Sequence, residues 1–288
     1  MKLTMLALFA FAVAPLAASS AVHARDLSPA PMLAQADVKV GGTFNMSMDY
    51  IDTVDGTGTD YSKQWNVSSN SSNITFNVSE DLGNGMKGIA HLAEYFRLDN
   101  LKDTTGANNR MTDGNAYVGL SSDTLGTVML GSHDTPAKLN GRSVDLFNNQ
   151  LGDSRNMGVN NTRATNVVAY TSPTFFGVSA MVAGITNADN DDHDVVGDTE
   201  AMAVLVKYSG GPVTAGLARD AYNNALETTN TNVTVGVKVG PAKIVALYQM
   251  DENLAVADDE RTIMGLGASA SFGSHTVKAQ WYQATDTT

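Results

Sequence analysis

Between residues 113 and 131 apolar and polar positions alternate with a period of two. Ala116, Val118 and Leu120 fall on one side, Asn115, Tyr117 and Gly119 on the other. The reversal Asp123-Thr124-Leu125-Gly126 follows, and then a second extended run. Alternation on both sides of a Gly-containing turn is the signature of a β-hairpin. The same unit recurs nearly to the end of the chain. The pattern predicts thirteen strands, near 37–51, 72–80, 86–97, 113–122, 127–133, 164–172, 177–185, 200–209, 213–222, 231–239, 242–251, 261–272 and 275–284.

The connections fall into two classes that alternate. Those at 81–85, 123–126, 173–176, 210–212, 240–241 and 273–274 are tight and each contains Gly or Pro, the residues that tight turns require. Those at 52–71, 98–112, 134–163, 186–199, 223–230 and 252–260 are long and polar. Short periplasmic turns alternating with long external loops are the wiring of a transmembrane barrel.

Face chemistry points the same way. Val233, Val235, Val237 and Val239 oppose Thr234, Gly236 and Lys238, and Val277, Ala279 and Trp281 oppose Thr276, Lys278 and Gln280. The run at 242–251 is mixed, with Val245 and Leu247 beside Lys243 and Gln249. A lysine at mid-strand is costly against lipid, so its face should be the wet lumen and the valine face the lipid side. A globular β-sandwich would bury the valines instead, and periodicity alone does not separate the two. The turn–loop alternation favours an all-β, transmembrane antiparallel β-barrel. Aromatic residues near strand ends, among them Tyr170, Phe175, Phe176, Tyr208 and Phe272, fit interfacial girdles.

The N-terminus adds a compartment. Met1-Lys2, an apolar run over 3–18 and the small-residue site Val22-His23-Ala24 read as a signal peptide spanning 1–24, which leaves 25–288 as the barrel domain. Removing Lys2 takes the formal charge from −12 to −13. An acidic chain argues against nucleic acid as a partner. With no cysteine and five scattered histidines, no metal ligand set is expected. The acidic stretches 187–194 and 258–260 lack the spacing of a calcium loop. No nucleophile motif in a strand-to-helix context occurs, so the reading carries no catalytic residue, no cofactor and no enzyme activity.

Four stretches then carry a resemblance. Ser79-Glu80-Asp81-Leu82-Gly83-Asn84-Gly85-Met86-Lys87-Gly88 comes first, and Asn115-Ala116-Tyr117-Val118-Gly119-Leu120 second. Leu125-Gly126-Thr127-Val128-Met129-Leu130-Gly131 with Thr135-Pro136 is third, and Asn166-Val167-Val168-Ala169-Tyr170-Thr171-Ser172-Pro173 fourth. In this order they resemble the general diffusion porins of Gram-negative bacteria, especially the β-proteobacterial and neisserial type. The resemblance implies a water-filled outer-membrane channel for small hydrophilic solutes and ions. It also implies a sixteen-stranded barrel seated in outer-membrane lipid, and a homotrimer. It further implies that residues 134–163 fold into the lumen as a constriction loop. Candidate constriction residues are Lys138, Arg142, Asp145, Asp153 and Arg155 on the loop, with Arg163 on the wall.

The chain also departs from that family. Positions that commonly carry wall basic residues are here Asn73, Ser132 and Ala169. Together with the acidic balance, this leads to an expectation of mild cation preference. Thirteen strands and an end at Asp286-Thr287-Thr288 lead to the expectation of a C-terminal truncation. A barrel enzyme, or a closed adhesive or structural barrel, is the alternative reading.

Overall fold

The computed structural model describes residues 36–54, 60–99, 114–150, 152–186, 199–223, 227–253 and 259–287. The signal-peptide reading, and much of the expected loops 98–112 and 186–199, lie outside these residues.

Fifteen strands form among the described residues. The first four are β1 (Asp37–Thr43), β2 (Met46–Val54), β3 (Asp60–Ser69) and β4 (Asn73–Gly83). Next come β5 (Met86–Tyr95), β6 (Ala116–Ser122), β7 (Gly126–Asp134), β8 (Arg163–Thr171), β9 (Val178–Thr186) and β10 (Thr199–Gly210). The last are β11 (Val213–Tyr222), β12 (Thr228–Val239), β13 (Ala242–Asn253), β14 (Glu260–Phe272) and β15 (His275–Thr287). A helix, α1 (Pro136–Arg142), and a 3-10 turn (Ser154–Met157) lie between β7 and β8.

One antiparallel sheet runs β1-β4-β5-β6-β7-β8-β9-β10-β11-β12-β13-β14-β15, and β2 pairs with β3 separately. The expected strand 37–51 is interrupted at Phe44 and Asn45, and the expected loop 52–71 contains β3. Asn70 N–H still donates to Asn45 O at 2.8 Å, so β2–β3 prolongs the β1–β4 ladder past a local break. Counting each prolonged pair as one strand restores the thirteen. The sequence signal for β3 is weak because Lys63, Gln64, Asn66 and Ser68 surround Trp65 and Val67.

Register assigns the two faces. Val233, Val235, Ile244, Tyr248, Leu266, Val277 and Trp281 all stand exposed on one face. On β12 the valine stripe from Val233 to Val239 spans about 20 Å at ~3.4 Å per residue, close to the height of a barrel's lipid-facing band. Asn232, Thr234 and Gln249 are fully or almost fully buried on the opposite face. That face is concave. The segment between β7 and β8 meets both ends of the sheet: Leu146 N–H donates to Gln280 Oε1 on β15 at 2.8 Å, and Asn45 Nδ2 donates to Asn149 O at 3.4 Å. The sheet therefore curls around this loop. Among the described residues no ladder joins β1 to β15.

Candidate functional site

The loop begins with a local helix signal. Thr135 caps α1, its hydroxyl accepting from Lys138 N–H, and Pro136 occupies the first turn, where its missing N–H costs nothing. Asp220 on β11 accepts from Ala137 N–H at 3.0 Å, satisfying another of the free donors at the helix start. Asn160 Nδ2 holds the other Asp220 oxygen at 3.3 Å.

Further along α1, Asn140 is clamped to the wall. It donates to Asn232 Oδ1 at 2.8 Å and accepts from Thr234 Oγ1 at 2.8 Å, while Asn232 Nδ2 donates to Ala137 O at 2.9 Å. Gly216 makes this approach possible: a Cβ there would collide with Oδ1 of Asn140. The rest of the loop lies along β13–β15. Val144 and Val159 pack on Val245, Leu247 and Ile263. Gln249 accepts from Asn160 N–H at 3.0 Å and donates to Gly158 O at 3.2 Å. Lys278 Nζ donates to Leu146 O at 3.0 Å.

All six sequence-derived candidates lie in this loop or at its foot. Lys138 at 2.9 Å, Arg142 at 3.1 Å and Arg163 at 2.9 Å converge on the carboxylate of Asp134. Asp134 and Lys138 are almost wholly buried. Burial pulls the Lys138 ammonium below the ordinary lysine range, and its bond to Asp134 only partly offsets this. Three cations thus share the Asp134 carboxylate. Asp145 accepts from Ser154 N–H at 3.0 Å and Gln280 Nε2 at 3.0 Å. Asp153 accepts from Arg155 N–H at 2.9 Å, capping the 3-10 turn, and pairs with the Arg155 guanidinium at 3.2 Å. Asp153 thus holds the loop's own shape, and Asp145 both does this and ties the loop to β15.

Sequence reasoning missed Asp134, Asp220, Asn140, Asn232 and Gln249. Two signals were present for the first group: the Thr135-Pro136 helix start and the i,i+4 spacing of Asp134 and Lys138. Nothing local marks Asn232 or Asp220 as loop partners.

A family model of Gram-negative porins matches residues 4–288. The chain belongs to the Gram-negative porin family. This porin is 26% identical over 157 residues to an outer membrane porin protein of Bordetella pertussis, an alignment covering 50% of the chain and 40% of that relative. It is 28% identical over 194 residues to the major outer membrane protein P.IB of Neisseria lactamica, covering 65% of the chain and 55% of that relative. The chain spans about half the length of the curated relatives it matches. Two solved structures share its fold. An anion-selective porin from Comamonas acidovorans has a TM-score of 0.63 at 21% identity, covering 88% of this chain and 80% of that one. Salmonella typhi OmpF in complex with daunomycin has a TM-score of 0.61 at 12% identity, covering 88% and 79%. The fold is the transmembrane antiparallel β-barrel of this family, its place is the Gram-negative outer membrane, and porins are channels, not enzymes.

Proposed function

We propose that the chain forms a water-filled channel through which small hydrophilic solutes and ions diffuse passively, after export with cleavage of residues 1–24 and assembly as a homotrimer. The carrying observation is the split between exposed valines outside and a polar loop bonded across the lumen face. A barrel of this size is too wide for side chains to fill, so water occupies what the loop leaves open. Residues 134–163 are the constriction, with Lys138, Arg142, Asp145, Asp153, Arg155 and Arg163 at or beside it.

The mild cation preference expected from net charge is not retained. Its premise weighed acids such as Asp189 and Asp258 in the loops, where salt screens them within about 8 Å. Supporting the opposite preference are the three cations gathered on Asp134 and the facing lumen pair Lys238 and Lys243. The Comamonas neighbour is itself described as anion-selective. Planar-bilayer recording tests both statements. Stepwise ohmic conductance with a reversal potential toward the chloride side in a salt gradient is expected. Absence of conductance rejects the channel, and a cation-side reversal rejects the anion preference.

A further inference from the structure

In a water-filled barrel the inward side chains are expected to be polar. On β7–β10 they are not: Met129, Val167, Ala169, Met181, Ala183, Ile185, Ala203 and Leu205 all face inward and are buried or nearly so. Helix α1 explains part of this, because Ala137 packs among Ala169, Ala183, Ala203 and Ala218. Toward the short turns α1 stops covering the wall. A cavity of about 370 Å³ remains there, floored by Met129, Met181 and Leu205 and roofed by Leu139. Thr171, Ser179 and Lys207 line it as well. Lys207 sits directly opposite Ser179 across the β9–β10 ladder. Among the described residues no carboxylate pairs with Lys207.

We propose that this cavity is a transit site for a small amphipathic carboxylate. The carboxylate meets the Lys207 ammonium and the hydroxyls of Ser179 and Thr171. The apolar body lies on Met129, Met181 and Leu205. The volume falls within the range of small-molecule pockets, and two thioether side chains adapt to more than one apolar shape. A cation in a partly apolar recess favours an anion with a short hydrocarbon tail over either a bare anion or a cation with the same tail. In a channel such a site serves passage only if residence is brief, which a single exposed-side ion pair allows.

The inference rests on the channel reading, and the test separates the two. Single channels are recorded with hexanoate, acetate or hexylammonium added at equal concentration. Hexanoate is expected to cause reversible, concentration-dependent interruptions of current; acetate and hexylammonium are not. Lys207→Gln should raise the half-effective hexanoate concentration about tenfold, the loss of one charge-assisted bond. Met181→Gln, which keeps the charge, should also weaken the effect. Equal action of hexanoate and acetate, equal action of hexylammonium, or an undiminished hexanoate effect in Lys207→Gln overturns the site while leaving the channel intact. Failure to conduct at all removes the channel reading instead.

Discussion

Asn140 on α1 and Asn232 on β12 bond side chain to side chain at 2.8 Å, both sealed from solvent. This amide pair, ninety-two residues apart, is the central attachment of the loop to the wall. Replacing Asn232 with Leu removes the side-chain acceptor of Asn140 Nδ2 at 2.8 Å and the side-chain donor to Ala137 O, while Asn140 keeps Thr234 Oγ1 and the backbone O of residue 232, so the loss is about 1 kcal/mol for each bond removed. Asn232→Leu should therefore fold less stably, and its open-channel current should be noisier because α1 is less firmly held. Thermal unfolding in detergent and single-channel noise read this directly; wild-type values in both would refute the anchoring role.

Gly216 sets how closely α1 lies against β11. Any Cβ there meets Oδ1 of Asn140. Gly216→Val should push α1 away from its wall and reduce conductance. Gly216→Ala, with only a Cβ to accommodate, should lower conductance less than Gly216→Val. A merely destabilised barrel would lose folded yield rather than aperture, and the current through each channel would match the wild type in both variants.

Asp134 holds three cations, so its loss and the loss of one cation differ in scale. Asp134→Asn leaves the buried Lys138 without its counter-charge, a change of the kind that costs about 3–5 kcal/mol. Lys138→Met removes a buried charge while Arg142 and Arg163 still neutralise Asp134, and should cost far less. Reversal potentials should move oppositely: further toward anion preference in Asp134→Asn, less so in Lys138→Met. Equal destabilisation by the two variants is the result that contradicts this account.

What could be read from the chain follows from what each residue faces. The stripe Val233–Val239 was legible because its outer face is apolar while the inner face carries Asn232, Thr234 and Lys238, polar residues whether they meet the loop or water. The mixed run at 242–251 was not, because Val245 and Leu247 point inward against Val144 and Val159. The loop presents apolar side chains to the wall there, so period-two alternation loses its contrast. β3 was hidden for the reverse reason: its polar residues Lys63, Gln64, Asn66 and Ser68 give no strong apolar stripe. The charges of the loop were visible as candidates, but their convergence on Asp134 depends on Arg163 returning beside β7, a register that no local spacing encodes.

The assignment of the two faces yields the most direct energetic contrast. Val235 is exposed in the middle of the outer stripe, and Lys243 lies on the inner face near the β12–β13 turn. Val235→Arg places a charge toward the hydrocarbon midplane and should destabilise the folded barrel by about 2–4 kcal/mol. Lys243→Val gives up only an exposed bond to Ser143 O at 3.5 Å beside a neighbouring lysine, and should change stability little while lowering anion preference. Denaturant titration of both variants refolded in lipid vesicles measures the difference. If Arg at 235 were as benign as Val at 243, the valine stripe would not be facing lipid, and the orientation of every strand in the sheet would have to be reversed.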